Sequence, residues 1–322
     1  MTSPSVSLRA NPLRAGRQPF QRAGRHRPGT LARRQSRLFY LLVLPWVVGF
    51  VGLTAGPMVY SAYLSLTHYD VLTAPHFVGF ANYQEAFQNP LFWQSLKVTA
   101  IYAVVSVPLD LAVSLGLAIL LNQKLRAIRA FRTLVYLPSV LSGVGVSTMF
   151  LYIFNPQVGL INDALRGLGL QGPGWIESST WALPSLILMT LWGVGGEVLI
   201  LLAALQSVPQ ALIEAATIDG AGRWRRFVKI VVPMISPAIL FNLVLGVIGQ
   251  FQAFTQAYVI TSGGPLHSTF LFVYYLFDSA FQQLEFGYAS ALAWVLFIIV
   301  LALTLFVMAT SARWVFYQGD TK

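Results

Sequence analysis

The sequence predicts an all-α fold, a polytopic membrane helical bundle with six transmembrane helices. Of its 322 residues, 56% are hydrophobic and only 10% are charged, whereas soluble domains carry about 25% charged residues. The apolar residues gather into six stretches that each reach the roughly 20 residues needed to cross a bilayer as a helix. A net charge of +10 would suggest nucleic acid in a soluble domain. In a membrane protein its placement matters more than its total, and the expected partner is lipid, with no nucleic acid.

Each apolar stretch is expected to be a helix, because a backbone group without a hydrogen bond is too costly in lipid. A further apolar run, 270–277, is too short to span. We expect it to form an external helix that lies at the membrane interface. The six predicted spans are residues 38–64, 98–121, 134–154, 181–205, 234–260 and 289–308.

Charge predicts the orientation. Nineteen of the 21 Lys and Arg residues fall before the first span, in the loops after the second and fourth spans, or after the last span. Because loops rich in Lys and Arg stay in the cytoplasm, both termini are expected inside a bacterial cytoplasmic membrane. The expected domains are a disordered basic tail (1–37), the six-helix domain (38–317) and a short C-terminal tail (318–322). The basic tail is interpreted as an orientation signal in contact with anionic lipid.

The cytoplasmic loop 206–233 is expected to hold two short helices. Ser207 and Gln210 have the spacing of a capping box, which predicts that the first helix begins directly after the fourth span. Gly220 and Gly222 are expected to end it. A second, basic helix should follow, and Pro233 is expected to mark the entry to the fifth span.

The same loop carries a spaced motif. Glu214-Ala215-Ala216 is followed after three residues by Gly220 and after nine more by Ile230-Val231-Val232-Pro233. This pattern resembles the signature of permease subunits of binding-protein-dependent ABC importers, with Val232 in the place of Leu. The resemblance implies the type I importer permease fold and a contact with a separate ATPase. The residues implied in that coupling contact are Glu214, Ala215, Ala216, Asp219, Gly220, Arg223, Ile230 and Pro233.

The resemblance extends over about residues 38–317 and is strongest to the carbohydrate-uptake branch. It is carried by segments 77–83, 129–138, 205–209, 261–265 and 287–291. It implies a heterodimer with a second, homologous permease subunit, two ATPase subunits and an extracytoplasmic binding protein that delivers a sugar. This chain has no Gly-Lys pair and therefore no phosphate-binding loop, so ATP and Mg²⁺ are expected on the ATPases, with no cofactor on this chain and no catalytic or metal site.

Candidate substrate contacts are predicted within the spans. Asp110 and Glu197 are acids within spans, where ionisable groups are by default functional candidates; each could instead only pack. Trp192 could stack on a sugar ring, with Glu197 accepting hydroxyl hydrogen bonds. Polar and small residues of the fifth span were expected to share one helical face. The full candidate path is Ser139, Gly143, Trp192, Gly193, Gly196, Glu197, Gly249, Gln250, Gln252, Ala253 and Gln256, with Asn242 on the same expected face.

Two other functions stay open at this point. A permease of the same type could import a non-sugar solute such as glycerol 3-phosphate. A proton-coupled secondary transporter could use Asp110 and Glu197, although such carriers often show inverted repeats and more spans, and would not need the motif that begins at Glu214. The sequence does not identify the sugar, the ATPase or the binding protein.

Overall fold

The computed structural model describes residues 30–123 and 126–316, and the chain divides into two units between Pro57 and Met58. The first unit holds α1 (Thr30–Phe50) and a π-helical turn (Val51–Ala55). Because α1 already begins at Thr30, the predicted disordered tail is too long at its C-terminal end. Residues 1–29 and 317–322, which include the rest of that tail and the predicted C-terminal tail, lie outside the described residues.

The second unit is predominantly helical. Its first helix, α2 (Gly56–Leu64), begins at the boundary between the units. The later helices are α3 (Ala81–Gln88), α4 (Pro90–Leu121), α5 (Ile128–Tyr136), α6 (Gly143–Ile153), α7 (Leu160–Gly167), α8 (Ala182–Thr190), α9 (Gly195–Ser207), α10 (Gln210–Ile218), α11 (Arg223–Arg226), α12 (Val232–Phe251), α13 (Phe272–Phe277) and α14 (Phe286–Ser311). Short 3₁₀ turns (Leu137–Val140, Leu191–Gly193) and π turns (Phe227–Val231, Ala257–Thr261, Asp278–Gln282) extend several of them.

Four continuous helical stretches of the described chain are long and apolar enough to cross a membrane. The count rises to six if each of two bent helix pairs forms one span. The first pair, Ile128–Val140 with Gly143–Ile153, bends by 99°, and the second, Ala182–Gly193 with Gly195–Ser207, bends by 49°. The prediction that the third and fourth spans are single helices was therefore wrong. The continuous stretches are Leu38–Leu64, Pro90–Leu121, Arg223–Phe251 and Phe286–Ser311.

The helix α4 is central to the second unit. It packs against α9, α12, α8 and α13, while α12 also packs against α14. Its buried positions recur at three- and four-residue intervals, from Phe92 to Leu121, as expected for one helical face turned to neighbouring helices. Pro108 lies inside this helix and removes one backbone donor from it.

The run 270–277 forms a short helix, as expected, but not an exposed one. Phe272 and Tyr275 of α13 are buried, and α13 packs against α4 and α14. The Tyr275 hydroxyl accepts a hydrogen bond from Asn89 Nδ2 (3.0 Å) and shares another with the Tyr288 hydroxyl (2.7 Å). The helix α13 is therefore packed against the bundle, and its expected position at the membrane interface stays a prediction.

Two short antiparallel strands, β1 (Thr67–His68) and β2 (His76–Phe77), pair between α2 and α3. The turn between them is closed by Asp70, whose carboxylate accepts hydrogen bonds from the Thr73 hydroxyl and backbone N–H, and these bonds hold the pKa of Asp70 below its usual range. The start of α14 lies directly against β1: a side chain at Gly287 would collide with the Thr67 carbonyl oxygen.

Candidate functional site

The predicted coupling loop begins with α10, which starts at Gln210 as expected. The capping box is absent, because the Ser207 hydroxyl donates to the Ala204 carbonyl oxygen (2.8 Å) in the preceding helix. Pro209 occupies the N-cap position without a side-chain hydrogen bond. The sequence therefore predicted the position of this helix correctly but not the interaction that begins it.

The end of α10 explains the glycine of the motif. The Gly220 N–H donates to the Thr217 carbonyl (3.1 Å), and the Ala221 N–H donates to the Ala216 carbonyl (2.9 Å). This pair of bonds is a Schellman motif, which needs a left-handed residue at the position of Gly220. Gly220 has a φ of +76°, so glycine is required here by conformation, and the helix ends as the sequence predicted.

Beyond the glycines, the structure differs from the expected second short helix. Residues Arg223–Phe251 run as one helical stretch through the π turn Phe227–Val231. The Val232 N–H donates to the Phe227 carbonyl, and this wider turn leads into Pro233, which has no N–H to donate. Pro233 therefore lies within the fifth span and does not separate it from the basic segment.

The motif residues meet in one open groove. A cavity of about 520 Å³ between α10 and the start of the fifth span is lined by Ala215, Ala216, Asp219, Ile230 and Pro233, among others. Glu214 and Ala215 are exposed. Residues separated by more than ten positions in sequence thus form one surface that another protein can reach.

A side-chain hydrogen bond joins the two sides of this groove. Arg226 donates to the Thr217 hydroxyl, which joins the basic segment to α10. Asp219 contributes its backbone N–H to the Ala215 carbonyl (3.0 Å), whereas its carboxylate makes no hydrogen bond or ion pair within the described part of the chain. Arg223 is exposed and, like Glu214, remains available to a partner.

The second candidate site is a cavity of about 230 Å³ at the breaks of the bent spans. Five residues of the predicted substrate path line it: Ser139, Gly143, Trp192, Gly193 and Gln256. Trp192 is 45% exposed and its ring lies edge-to-face with Phe150, with centroids 6.0 Å apart. The lining therefore offers an aromatic face, hydroxyl groups and an amide, and it contains no charged side chain.

Other predicted path residues do not line this cavity: Gly196, Glu197, Gly249, Gln250, Gln252 and Ala253. The Glu197 carboxylate instead accepts a hydrogen bond from the Ser114 hydroxyl (2.9 Å). Asp110 accepts hydrogen bonds from Thr190 and Gln250. Both acids therefore bond to neighbouring helices, the packing alternative considered for each, and Trp192 and Glu197 do not form a joint sugar site on the cavity wall.

The expected polar face of the fifth span is interrupted. The helix α12 ends at Phe251, and Gln252 and Ala253 lie in the irregular segment before the next helical turn. Asn242 lies within α12, where its amide reaches the Glu197 backbone carbonyl at 3.4 Å. Because the helix stops between them, Asn242 and Gln256 do not lie on one face of a single regular helix.

Sequence reasoning missed several residues of the cavity. Thr190 and Ser147 add hydroxyl groups to its lining, and Pro138, Leu141, Val146, Leu186 and Met189 add apolar surface. Thr190 precedes a stretch with three glycines, Gly193, Gly195 and Gly196. A hydroxyl residue close to such a glycine-rich break is the sequence signal that could have identified Thr190 as a cavity residue.

Comparison with known proteins agrees with this architecture. Residues 110–315 match the family described as "Binding-protein-dependent transport system inner membrane component". The chain is 43% identical over 292 residues to a probable ABC transporter permease protein, YesP, of Bacillus subtilis (strain 168), covering 89% of this chain and 94% of YesP. It is 35% identical over 248 residues to the sulfoquinovosyl glycerol transport system permease protein SmoG of Agrobacterium fabrum, covering 77% of this chain and 80% of SmoG.

A solved structure has the same fold. A chain from the crystal structure of a bacterial alginate ABC transporter, in complex with an alginate pentasaccharide-bound periplasmic protein, superposes with a TM-score of 0.77. The match covers 87% of this chain and 96% of that chain at 24% sequence identity. Since the family match covers more than half of the chain and agrees with close relatives over most of their length, this protein belongs to the family of inner-membrane components of binding-protein-dependent transport systems and is a transport permease rather than an enzyme.

Proposed function

We propose that this chain is one of two permease subunits of an ATP-driven importer that translocates a carbohydrate delivered by an extracytoplasmic binding protein. The observation that carries the proposal is the exposed groove between α10 and the start of the fifth span, lined by motif residues that include Ala216 and Ile230. An importer needs such a surface, because ATP hydrolysis on another subunit must be transmitted to the membrane helices.

The cavity at the helix breaks supports a carbohydrate as the substrate. Trp192 offers an aromatic face that suits the apolar C–H face of a sugar ring, while Ser139, Thr190 and Gln256 can exchange hydrogen bonds with hydroxyl groups. A lining without charged side chains suits an uncharged solute. The carbohydrate named for the relative SmoG and the polysaccharide named for the alginate transporter support a carbohydrate substrate. Alginate is an acidic polysaccharide, so the expectation of an uncharged solute rests on the cavity lining alone.

The ATPase contact is proposed at the coupling groove. Small residues, Ala215 and Ala216, allow a partner to approach the helix closely, and Glu214 adds an exposed carboxylate beside them. In this arrangement ATP and Mg²⁺ belong to two ATPase subunits, and this chain binds no cofactor. The groove is then on the cytoplasmic side, together with both chain termini.

A second permease subunit completes the pathway in this proposal. Trp192 at the cavity is 45% exposed, and the nearby apolar residues Leu141 and Val144 are also exposed. A homologous subunit facing these residues would close the path and shield its apolar wall from water. We propose that the second subunit is a different, homologous chain, as the sequence resemblance implies.

Gentle solubilisation of membranes with a tagged chain tests this function. We expect a second six-span subunit and an ATPase to co-purify, and the associated binding protein to gain thermal stability with a neutral sugar in a panel that includes sn-glycerol 3-phosphate and an acidic oligosaccharide. Recovery of the chain alone, folded and stable, would contradict the importer. Stabilisation by sn-glycerol 3-phosphate only would contradict the carbohydrate assignment while leaving the importer intact.

A further inference from the structure

The helix α4 carries a stripe of polar residues on its buried side. Tyr102, Ser106, Asp110 and Ser114 follow one another at four-residue intervals and are all buried. Residues at this spacing lie on one face of a helix. Because α4 is continuous over 32 residues, this stripe is a fixed row of polar groups beside the broken helices.

Three residues of the stripe form hydrogen bonds with the fourth and fifth predicted spans. The Tyr102 hydroxyl accepts from Gln256 Nε2 (2.8 Å), on the far side of the break in the fifth span. The Ser114 hydroxyl donates to Glu197 (2.9 Å), beyond the break in the fourth span. Asp110 lies between these two contacts.

Asp110 contacts the ends of two helices, α8 and α12, at once. Its Oδ1 accepts from the Thr190 hydroxyl (2.6 Å), and its Oδ2 accepts from Gln250 Nε2 (2.9 Å). Thr190 is the last residue of α8, and Gln250 is the penultimate residue of α12. Within residues 38–123 and 126–316, no other side chain is hydrogen-bonded to both of these helix ends.

Thr190 also lines the cavity, so Asp110 reaches the cavity wall through it. We propose that Asp110 is a positioning residue for transport, which joins the two helix ends beside the cavity through its hydrogen bonds and does not depend on its charge. This inference rests on the proposed function, because it assigns Asp110 a role in shaping the path of that importer.

The donors and acceptors around Asp110 explain why the proposed role does not require its charge. The Thr190 hydroxyl has one proton and two acceptors within reach, Asp110 Oδ1 and the Ile187 carbonyl oxygen (2.8 Å). In an Asp110→Asn variant, the amide NH₂ donates to the Thr190 oxygen, whose proton turns to Ile187, and the amide oxygen accepts from Gln250. Both connections survive in Asp110→Asn, whereas Asp110→Leu keeps the branching of the side chain, with bulkier methyl groups in place of the two oxygens, and loses both.

Spin-label distances test the proposal, and the chain suits them because it contains no cysteine. Leu188 in α8 and Leu245 in α12 are 45% and 49% exposed, so Leu188→Cys and Leu245→Cys provide labels near the two joined ends. The labelled chain is assembled with cysteine-free partner subunits in lipid nanodiscs and measured without nucleotide and after trapping with ADP and vanadate. We expect Asp110→Leu to at least double the width of the distance distribution and to abolish the change on trapping, and Asp110→Asn to match the parent.

Either of two results would overturn the proposal: a distribution for Asp110→Leu like that of the parent, or an Asp110→Asn variant as broad as Asp110→Leu. If Asp110→Leu does not assemble, Thr190→Val removes one connection with little change in shape, and Thr190→Ser is its matched control; equal widths for these two would likewise count against Asp110. Absence of ATP hydrolysis in the parent complex would instead contradict the proposed function, while the nucleotide-free widths would still test the positioning role.

Discussion

Single residues of this permease are constrained by backbone conformation as much as by space. A Cβ atom at Gly220 would meet nothing within 4 Å, yet the residue has a φ of +76°. The left-handed conformation costs a residue with a side chain about 1–2 kcal/mol. The glycine of the coupling motif is therefore explained within this chain by the Schellman motif that ends α10, before any partner is considered.

Gly220→Leu should consequently uncouple transport while leaving membrane insertion intact. The substitution strains the end of α10 and places a large side chain beside the proposed ATPase contact. The amount of ATPase that co-purifies, relative to this chain, is expected to fall at least tenfold. Gly222→Leu is the matched control, because Gly222 has an ordinary φ of −65° and the same open surroundings. Equal loss in both variants would show that the conformation of Gly220 is not what matters.

At the scale of elements, helix breaks set the shape of the cavity. The chain bends between Val140 and Gly143 and again at Val194. A Cβ atom at Gly195 would lie 2.9 Å from the Tyr136 Cα, so this glycine permits α9 to begin directly against α5. As a result, Pro138 of the third predicted span and Trp192 of the fourth line the same cavity.

The sequence predicted the existence of the spans because their apolar composition is strong and local. It did not predict the bends, since a bend depends on which helices pack together and not on composition alone. The same limit applies to Asp110: its burial was expected from its position, but its partners Thr190 and Gln250 are distant in sequence. Motif spacing, by contrast, pointed to residues such as Ala216 and Ile230, which the structure brings into one groove.

A stability prediction follows from the junction of α14 with β1. The Gly287 N–H donates to the Tyr69 carbonyl oxygen (3.1 Å), and a side chain at Gly287 would collide with the Thr67 carbonyl. Gly287→Ala is expected to destabilise the protein by about 1–3 kcal/mol, in the range of overpacking substitutions. Gly116→Ala in α4 is the control, since a Cβ there meets no atom and alanine favours the helix by up to about 1 kcal/mol. Thermal unfolding in detergent should separate the two; a lower midpoint for Gly116→Ala than for Gly287→Ala would contradict the packing described.

At the scale of the whole molecule, the charge distribution and the proposed ATPase contact predict the same orientation. The coupling groove lies beside the basic segment that contains Arg225 and Lys229, and segments rich in Lys and Arg remain in the cytoplasm. The groove must face the cytoplasm if an ATPase is to reach it. The segment between α7 and α8, which contains one acidic residue and no Lys or Arg, is then expected on the opposite side, where a binding protein delivers the solute.

Thiol labelling measures this orientation directly, because the natural chain has no cysteine to react. Ser179 and Arg225 are both exposed and lie on segments expected on opposite sides. In cells whose outer membrane or cell wall has been removed but whose cytoplasmic membrane is intact, a membrane-impermeant maleimide should label Ser179→Cys and should not label Arg225→Cys. After permeabilisation both variants should react, which controls for accessibility within the folded protein. Labelling of Arg225→Cys in intact cells, with Ser179→Cys protected, would invert the topology and place the coupling groove where no cytoplasmic ATPase could bind it.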